Sequence, residues 1–361
     1  MGELQITEIA CETAYEFVDY LRLSKEHWGD LKSSQRPWIF RGQLDSMWDI
    51  KPSLFRKREF DKSNLIYILK EKELSLLMEK SGKRNFLSNP AIRAISENNY
   101  TSPNIKECIL YYFLEKRLIR EFILAADYHA FDILIDEDFT SLDNLTIDDS
   151  LKLLHESIPL DFTELEPQLQ FDYLKNKKFI PKSYIGLAQH HGIYTRFIDF
   201  TYNPLTAAYF SSCSFKPDFT DFGKKIVVWA VNKHVFSPNL RAYINKGSSL
   251  ASYQLYESSR NSNTYLQRQE GLFIYPEFPY EYYAKYGSFP AFEEYLKCLP
   301  HTYLDYNVKK ITLPYSKVFE LILILQRENV HLINMMPTLD NVAESLRLKW
   351  KWETWTDNSV S

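Results

Sequence analysis

The sequence predicts an α+β fold built on a compact, bent, mixed or antiparallel sheet. Strand-length runs of apolar and β-branched residues occur at about 37–40, 194–200, 226–231 and 271–275. Other, longer segments carry apolar residues at the spacing of amphipathic helices. Because a long region with helical patterns separates the first strand from the others, we expect a mainly helical insertion that covers one side of the sheet.

The strongest helical pattern lies at about residues 106–126, where one apolar stripe repeats every fourth position. The stripe consists of Leu110, Leu114, Leu118 and Phe122. A shorter helix is predicted from Pro204 to Ser212, because Asn203 is a favourable N-cap and proline suits the first helical position. Further helical patterns lie at about 8–30, 62–80, 317–329 and 339–346, and a strand pattern lies at 309–315.

These patterns divide the chain into four parts. Residues 1–60 and 179–350 are predicted to form one domain, because the polar motifs described below all lie in them. Residues 61–178 form the mainly helical insertion, which contains an acidic, turn-rich stretch between about 136 and 166. Residues 351–361 are expected to be a tail.

Composition and charge argue against several classes of protein. The 361 residues carry a formal net charge of −4, so the chain has no global attraction for nucleic acids. The four cysteines contain no CxxC pair, which argues against a zinc ribbon and against a disulfide-stapled secreted fold. The N-terminus lacks the pattern of a signal peptide, and no apolar run approaches the length of a membrane span. We expect a cytoplasmic protein without membrane contact.

Three polar segments stand out because glycine is scarce, with 10 in the chain, and each segment contains one. They lie at 40–43 (FRGQ), 189–204 (QHHGIYTRFIDFTYNP) and 269–273 (QEGLF). The guanidinium of Arg41 offers planar donors to a diphosphate or a ribose and keeps its charge. Gly42, which follows it, is expected to let a ligand approach the backbone.

The third segment supplies a candidate carboxylate. Cleavage of an N-glycosidic bond passes through an oxocarbenium-like cation, which one fixed carboxylate stabilises. Glu270 is the natural candidate for this role. We expect Gln269 and Glu270 to lie on a strand, where neighbouring side chains point to opposite faces, so only one of the two would face the site.

Structural roles remain open for several of these polar residues. Arg41 is also suited to a salt bridge that anchors its strand. Thr195, Arg196 and Thr201 are equally suited to capping the turn that follows them. Asp199 lies in an otherwise apolar strand, so its side chain is either paired with one of the two arginines or directed into a site.

The adjacent His190 and His191 suggest a metal site, but no third ligand stands at a recognised spacing. No metal is therefore expected. His191 precedes Gly192 and is a candidate for ligand contact or proton transfer, with a backbone hydrogen bond as the structural alternative.

Taken together, the three motifs resemble those of the bacterial FRG domain. The resemblance rests on IFRGQ followed by KPSLFR, then AQHHGIYTRFIDFTYNPLTAAYF, then QEGLF, over roughly residues 36–58 and 180–345. Tyr194 departs from the pattern, in which proline is expected. The family is tied to bacterial defence and toxin-like contexts, so the resemblance implies such a setting for this chain.

The order of the motifs is also similar to that of arginine-type ADP-ribosyltransferases, which use NAD as a substrate. In that comparison Arg41 matches the first-motif arginine, residues 199–201 lie at a Ser-Thr-Ser triplet, and Gln269 with Glu270 matches the last acidic motif. This resemblance implies an ADP-ribosyltransferase-like sheet. It assigns catalysis to Arg41, Glu270 and Gln269, and NAD binding to Arg41, Gln43, His191, Thr195, Arg196, Asp199, Thr201 and Tyr209.

Each group has an implied role. Arg41 would bind the phosphate or ribose of NAD, while Thr195 and Thr201 would position the ribose. Tyr209 would stack on nicotinamide. Glu270, or Gln269 in its place, would orient a ribose hydroxyl and stabilise the cation.

The sequence is therefore consistent with three functions. The first is an ADP-ribosyltransferase or NAD glycohydrolase whose acceptor is a protein, a nucleic acid or water. The second is a non-catalytic module that senses a nucleotide or a phage component, with the helical insertion as a partner surface. The third is a nuclease or phosphotransferase, for which only Arg41, His191 and Arg196 are available to hold phosphate.

Overall fold

The computed structural model describes residues 6–56 except 31 and 34, 103–131, 182–215, 223–246, 250–258 and 264–358. The helix predicted at 62–80 and the acidic stretch at 136–166 lie outside these residues. Within the described ranges, every helix is too short or too polar to cross a lipid bilayer.

The described strands form one mixed sheet. They are β1 (Thr7–Ala10), β2 (Trp38–Gln43), β3 (Ile198–Thr201), β4 (Lys225–Asn232), β5 (Tyr253–Tyr256), β6 (Gly271–Pro276) and β7 (Val308–Pro314). Their order across the sheet is β1–β7–β4–β2–β3–β6–β5. Only the β1–β7 pair is parallel among these neighbours, and the others are antiparallel. The predicted α+β class with a mixed sheet is confirmed.

Helices connect and cover these strands. They are α1 (Ala14–Leu21), α2 (Pro103–Tyr128), α3 (Lys182–His190), α4 (Pro204–Ser212), α5 (Pro238–Lys246), α6 (Thr264–Arg268), α7 (Pro279–Tyr286), α8 (Phe292–Leu296), α9 (His301–Asn307), α10 (Val318–Arg327), α11 (Leu332–Met335) and α12 (Leu339–Asn358). The predictions of α2, α4 and α10 are confirmed. Helix α12 runs on to Asn358, across the boundary expected at residue 350.

The prediction of a helix at 8–30 is wrong, because this segment is divided into β1, α1 and a 3₁₀ turn at Glu26–Trp28. The backbone N–H of Cys11 still donates to Thr312, which extends the pairing of β1 with β7. Thr13 and Glu16 then form a reciprocal capping box that starts α1. The local cap and the sheet pairing therefore override the helical spacing.

Strand β2 lies at the centre of the sheet, and its two faces contact different cores. Trp38 and Phe40 pack on one face with residues of α1, α4 and α10. Ile39 points to the other face, where it packs with Ile50 and with Phe292 of α8. Because side chains alternate along a strand, Gly42 shares the face of Phe40, and Arg41 shares the face of Ile39.

Gly42 makes room for helix α4 rather than for a ligand, which corrects the expectation from the sequence. A Cβ atom at this position would lie 1.9 Å from the carbonyl oxygen of Ala207 and 2.6 Å from the backbone nitrogen of Ser211. The glycine therefore allows the backbones of β2 and α4 to pack directly against each other.

The Gly42→Ala substitution is expected to destabilise the fold, because the new methyl group overlaps backbone atoms that a rotamer change cannot move. Overpacking of this kind costs about 1–3 kcal/mol or more. Urea unfolding should show a lower midpoint for the variant than for the wild-type chain. Equal midpoints would contradict the close approach of β2 and α4.

Strands β2 and β3 diverge soon after they meet. Their register contains the single pair Phe40–Thr201, whereas β2 pairs with β4 along its whole length. The sheet thus has a gap beside the last residues of β2 and the first residues of β3. The strand predicted from residue 194 begins only at Ile198, because Thr195 and Arg196 make hydrogen bonds outside the sheet.

Candidate functional site

Arg41 spans the gap between β2 and β3. Its Nη1 donates to the carbonyl oxygen of Asp199 at 2.7 Å. Its Nε is buried and has no hydrogen-bond partner within the described part of the chain. Burial lowers the pKa of Arg41 to about 10, so the guanidinium stays cationic at neutral pH. A buried cationic donor without a partner is costly for the fold and suits an anionic or polar ligand.

The charges that act on Arg41 come from three other segments. Besides burial, the pKa of Arg41 is lowered by Arg56 and is raised by the carboxylates of Asp199 and Glu293. Burial raises the pKa of Glu293, whose two carboxylate oxygens accept from the N–H of Ile50 at 3.0 and 3.1 Å. Two cations and two carboxylates therefore surround the gap.

The KPSLFR segment that follows β2 packs directly on the second motif. The backbone N–H of Leu54 donates to the carbonyl of Thr195 at 3.3 Å, and Ser53 Oγ accepts from the N–H of Thr195 at 3.3 Å. The side chain of Arg56 donates to Lys51 across the same turn. The first and second motifs thus contact each other at the gap.

A chain of side-chain hydrogen bonds orients Asp199. Thr195 Oγ1 donates to Gln189 Oε1 at 2.7 Å, and Gln189 Nε2 donates to Asp199 Oδ2 at 2.8 Å. Thr195 Oγ1 also accepts from the N–H of Phe197 at 3.0 Å, which fixes the first side chain in this series of hydrogen bonds. Thr195 is fully buried, whereas Asp199 is exposed. The motif therefore presents an exposed carboxylate that is held through one of its oxygens.

Arg196, by contrast, is engaged in a buried ion pair. Its Nε donates to Glu115 of α2 at 2.8 and 2.9 Å, and its Nη2 donates to the same carboxylate at 2.5 Å. Tyr280 of α7 donates to Glu115 at 2.5 Å, and its ring lies 5.2 Å from the guanidinium carbon. The Glu115 side chain is 0% exposed. Arg196 thereby ties two helices to the second motif, and we exclude it from the proposed ligand-binding set.

The third motif lies in a turn before β6, not on a strand, so the expected alternation of Gln269 and Glu270 does not apply. Thr201 Oγ1 donates to the carbonyl of Gln269 at 2.6 Å. The side-chain Nε2 of Gln269 is buried without a partner within the described residues. Glu270 has a left-handed φ of 48°, which is unusual for a residue other than glycine.

The carboxylate of Glu270 is bound at the other end of β3 from Arg41. Its Oε2 accepts from Arg36, and its Oε1 accepts from Asn203 Nδ2 at 3.3 Å. Asp199, which Arg41 contacts, lies four residues before Asn203, a rise of about 13 Å along an extended chain. The described contacts therefore join Glu270 and Arg41 to opposite ends of the same strand.

The remaining predicted residues have structural surroundings. Gln43 Oε1 accepts from the indole N–H of Trp229 at 2.9 Å, and its Nε2 donates to Asp49. His191 stacks on the Phe122 ring at 5.7 Å. Tyr209 lies on α4, which packs on the face of β2 opposite to the Arg41 side chain. These positions do not favour the predicted stacking of Tyr209 on a ligand held by Arg41.

Several residues of the site lacked a clear sequence signal. Glu115 was identifiable as an acidic residue beside the apolar stripe of α2, next to Leu114. Gln189 stands inside the second motif, but its bonds to Thr195 and Asp199 depend on the angle between α3 and β3. Glu293 comes more than 200 residues after the Ile50 that it contacts, so sequence spacing gives no indication of the pair.

Metal ligation has no support in the described part of the chain, where no three His, Cys, Asp or Glu side chains are grouped closely enough to hold an ion. His190 packs edge-on to Phe273 at 6.3 Å. Burial lowers the pKa of both His190 and His191, which keeps the two rings neutral at neutral pH.

Comparison with known proteins identifies one family. Neither the curated proteins nor the solved structures include a match to this chain. The FRG domain matches residues 156–218, a range that contains the whole second motif with Gln189, Thr195 and Asp199. The match begins inside the segment expected to be an insertion and does not reach the FRGQ motif at 40–43. The protein therefore carries an FRG domain.

Proposed function

We propose that this protein is an ADP-ribosyltransferase-like enzyme that uses NAD in the gap between β2 and β3. The observation that carries the proposal is Arg41, a half-buried cation at this gap whose buried Nε has no partner within the described residues. A planar guanidinium is suited to a diphosphate because it donates two parallel hydrogen bonds and keeps its charge when buried.

The arrangement of the motifs also supports this function. The strands that bear or follow the three motifs, β2, β3 and β6, are neighbours in the sheet. Residue 201 pairs with Phe40 on one side and with Gly271 on the other. The three motifs of the resemblance thus lie in one continuous part of the molecule. Along the chain, by contrast, 228 positions separate Arg41 from Gln269.

The chemistry required of the protein is modest. Nicotinamide leaves NAD as a neutral molecule when the bond between its ring nitrogen and ribose C1′ breaks, and C1′ becomes an oxocarbenium-like cation. Arg41 would hold the diphosphate, and a nearby carboxylate would stabilise the cation until water or a macromolecular acceptor bonds to C1′. An enzyme of this kind fits the cytoplasmic setting and the defence or toxin context that the sequence suggests.

A second candidate function is a non-catalytic module that senses a nucleotide. The observation that favours it is the position of Glu270, which is bound by Arg36 and Asn203 rather than directed toward Arg41. A sensor requires the cationic Arg41 but no catalytic carboxylate. The acceptor of the enzyme and the partner of the sensor have the same candidate surface, the helical insertion at 61–178.

One experiment separates the two functions. The purified protein is incubated with cell extract and with NAD labelled in the adenine ring, and the label is followed into protein, nucleic acid and free ADP-ribose. Calorimetry with ADP-ribose runs in parallel. Label in any product identifies the enzyme and its acceptor. Binding of ADP-ribose that Arg41→Ala abolishes, with NAD left intact, identifies the sensor.

A further inference from the structure

Among the described residues, three carboxylates are candidates to act with Arg41, namely Glu293, Glu270 and Asp199, and they differ in how many of their oxygens are already bound. Both oxygens of Glu293 accept from the N–H of Ile50. Both oxygens of Glu270 are also bound, one by Arg36 and one by Asn203. These two carboxylates therefore have established partners within the fold.

Asp199 is different. Gln189 donates to its Oδ2, whereas no hydrogen bond from the described residues reaches its Oδ1. The residue is exposed, and it is the same residue whose carbonyl accepts from Arg41 at 2.7 Å. The guanidinium of Arg41 is therefore one hydrogen bond away from the backbone of the residue that carries this carboxylate. Because Ile198 and Phe200 pack on the face of Ile39, the Asp199 side chain alternates to the other face of β3, so a ligand that contacts both charged groups has to enter the gap itself.

We propose that Asp199, rather than Glu270, is the catalytic carboxylate that works with Arg41. The inference rests on the proposed function, since it assigns a residue to the cleavage of NAD. The buried Thr195 and the half-buried Gln189 act as positioning residues, because their hydrogen bonds fix one oxygen of Asp199 and leave the other without a hydrogen bond from the described residues. A fixed charge stabilises a developing cation better than a mobile one, since no reorganisation is needed during the reaction.

The reaction with water as acceptor is balanced as follows. The C1′–N bond of the nicotinamide riboside breaks, and its electron pair leaves with nicotinamide, which loses its positive charge. The Asp199 carboxylate stabilises the cation at C1′. Water then bonds to C1′, and its proton passes through the carboxylate to solvent. The products are ADP-ribose, nicotinamide and one proton.

Three variants test this assignment by nicotinamide release from NAD. Asp199→Asn keeps an acceptor for Gln189 and removes the charge, so kcat should fall about 100-fold or more while KM changes little. Glu270→Gln should keep kcat within about threefold of the wild type, because its charge is not used. Gln189→Met removes the bond that orients Asp199, and kcat should fall about tenfold with KM unchanged.

The outcomes are distinguishable. Wild-type activity that survives in Asp199→Asn and is lost in Glu270→Gln would overturn the assignment and leave the proposed function standing. A wild-type protein that leaves NAD intact would refute the proposed function, and the role of Asp199 with it. Thermal unfolding of each variant shows whether a loss of activity comes from a loss of fold. Asp199→Glu is a second variant that retains the charge, and it should recover part of the rate that Asp199→Asn loses.

Discussion

Arg41→Ala is expected to lower kcat/KM for nicotinamide release by about 100-fold or more. The substitution removes a cation whose buried Nε is assigned to the diphosphate, and among the described residues no second guanidinium occupies the same position. Arg56 also acts electrostatically on this gap, but its side chain is exposed and donates to Lys51. The loss should therefore appear in both NAD binding and turnover.

Arg41→Lys is the sharper comparison, because it keeps the positive charge and removes the planar fork. Its kcat/KM should lie well below the wild-type value, since an ammonium cannot donate to Asp199 and to a diphosphate with the geometry of a guanidinium. Wild-type kinetics in Arg41→Lys would show that charge alone is required, and wild-type kinetics in Arg41→Ala would place the site elsewhere.

The second large effect is expected at Glu115. Glu115→Ala leaves the buried guanidinium of Arg196 without its carboxylate, and Tyr280 loses its acceptor. Removing one partner of a buried ion pair costs about 3–5 kcal/mol, because the remaining charge stays desolvated. Urea unfolding should show a large fall in the free energy of unfolding.

A matched control lies on the same helix. Glu121 pairs with Arg117 at 2.8 Å, but its side chain is 58% exposed. Glu121→Ala should change the free energy of unfolding by no more than about 0.5 kcal/mol, as is usual for exposed pairs. If Glu115→Ala were as stable as Glu121→Ala, the buried pair would not anchor α2 to the second motif.

The sequence predicted the elements whose formation depends on local signals. Helix α4 starts where Asn203 and Pro204 placed it, and the Asn203 side chain accepts from the N–H groups of Leu205 and Thr206. Strand β4 forms where apolar and β-branched residues run together. Helix α2 follows its apolar stripe, of which Leu114 is buried. Caps and periodicity act over a few residues, so a sequence displays them directly.

Contacts between distant segments are harder to predict from the sequence. The sequence predicts a strand at Gln269 and Glu270, where the structure has a turn, because the apolar run of β6 begins directly after them at Gly271. The sequence predicts that Gly42 lets a ligand approach the backbone, but the packing of α4 on β2 is what requires a glycine there. For Asp199 the sequence leaves two alternatives open, pairing or a site, because its surroundings depend on how α3 packs beside β3; in the structure its side chain is exposed and accepts from Gln189.

The most direct test of the account is the release of nicotinamide from NAD by the purified wild-type protein, beside Arg41→Ala and the control Arg22→Ala. Arg22 is an exposed arginine that pairs with Glu328, and its loss should leave activity unchanged. We predict release by the wild type and by Arg22→Ala, and a fall of about 100-fold in Arg41→Ala. Intact NAD with the wild type, or equal release by Arg41→Ala, would contradict a site for NAD at the gap between β2 and β3.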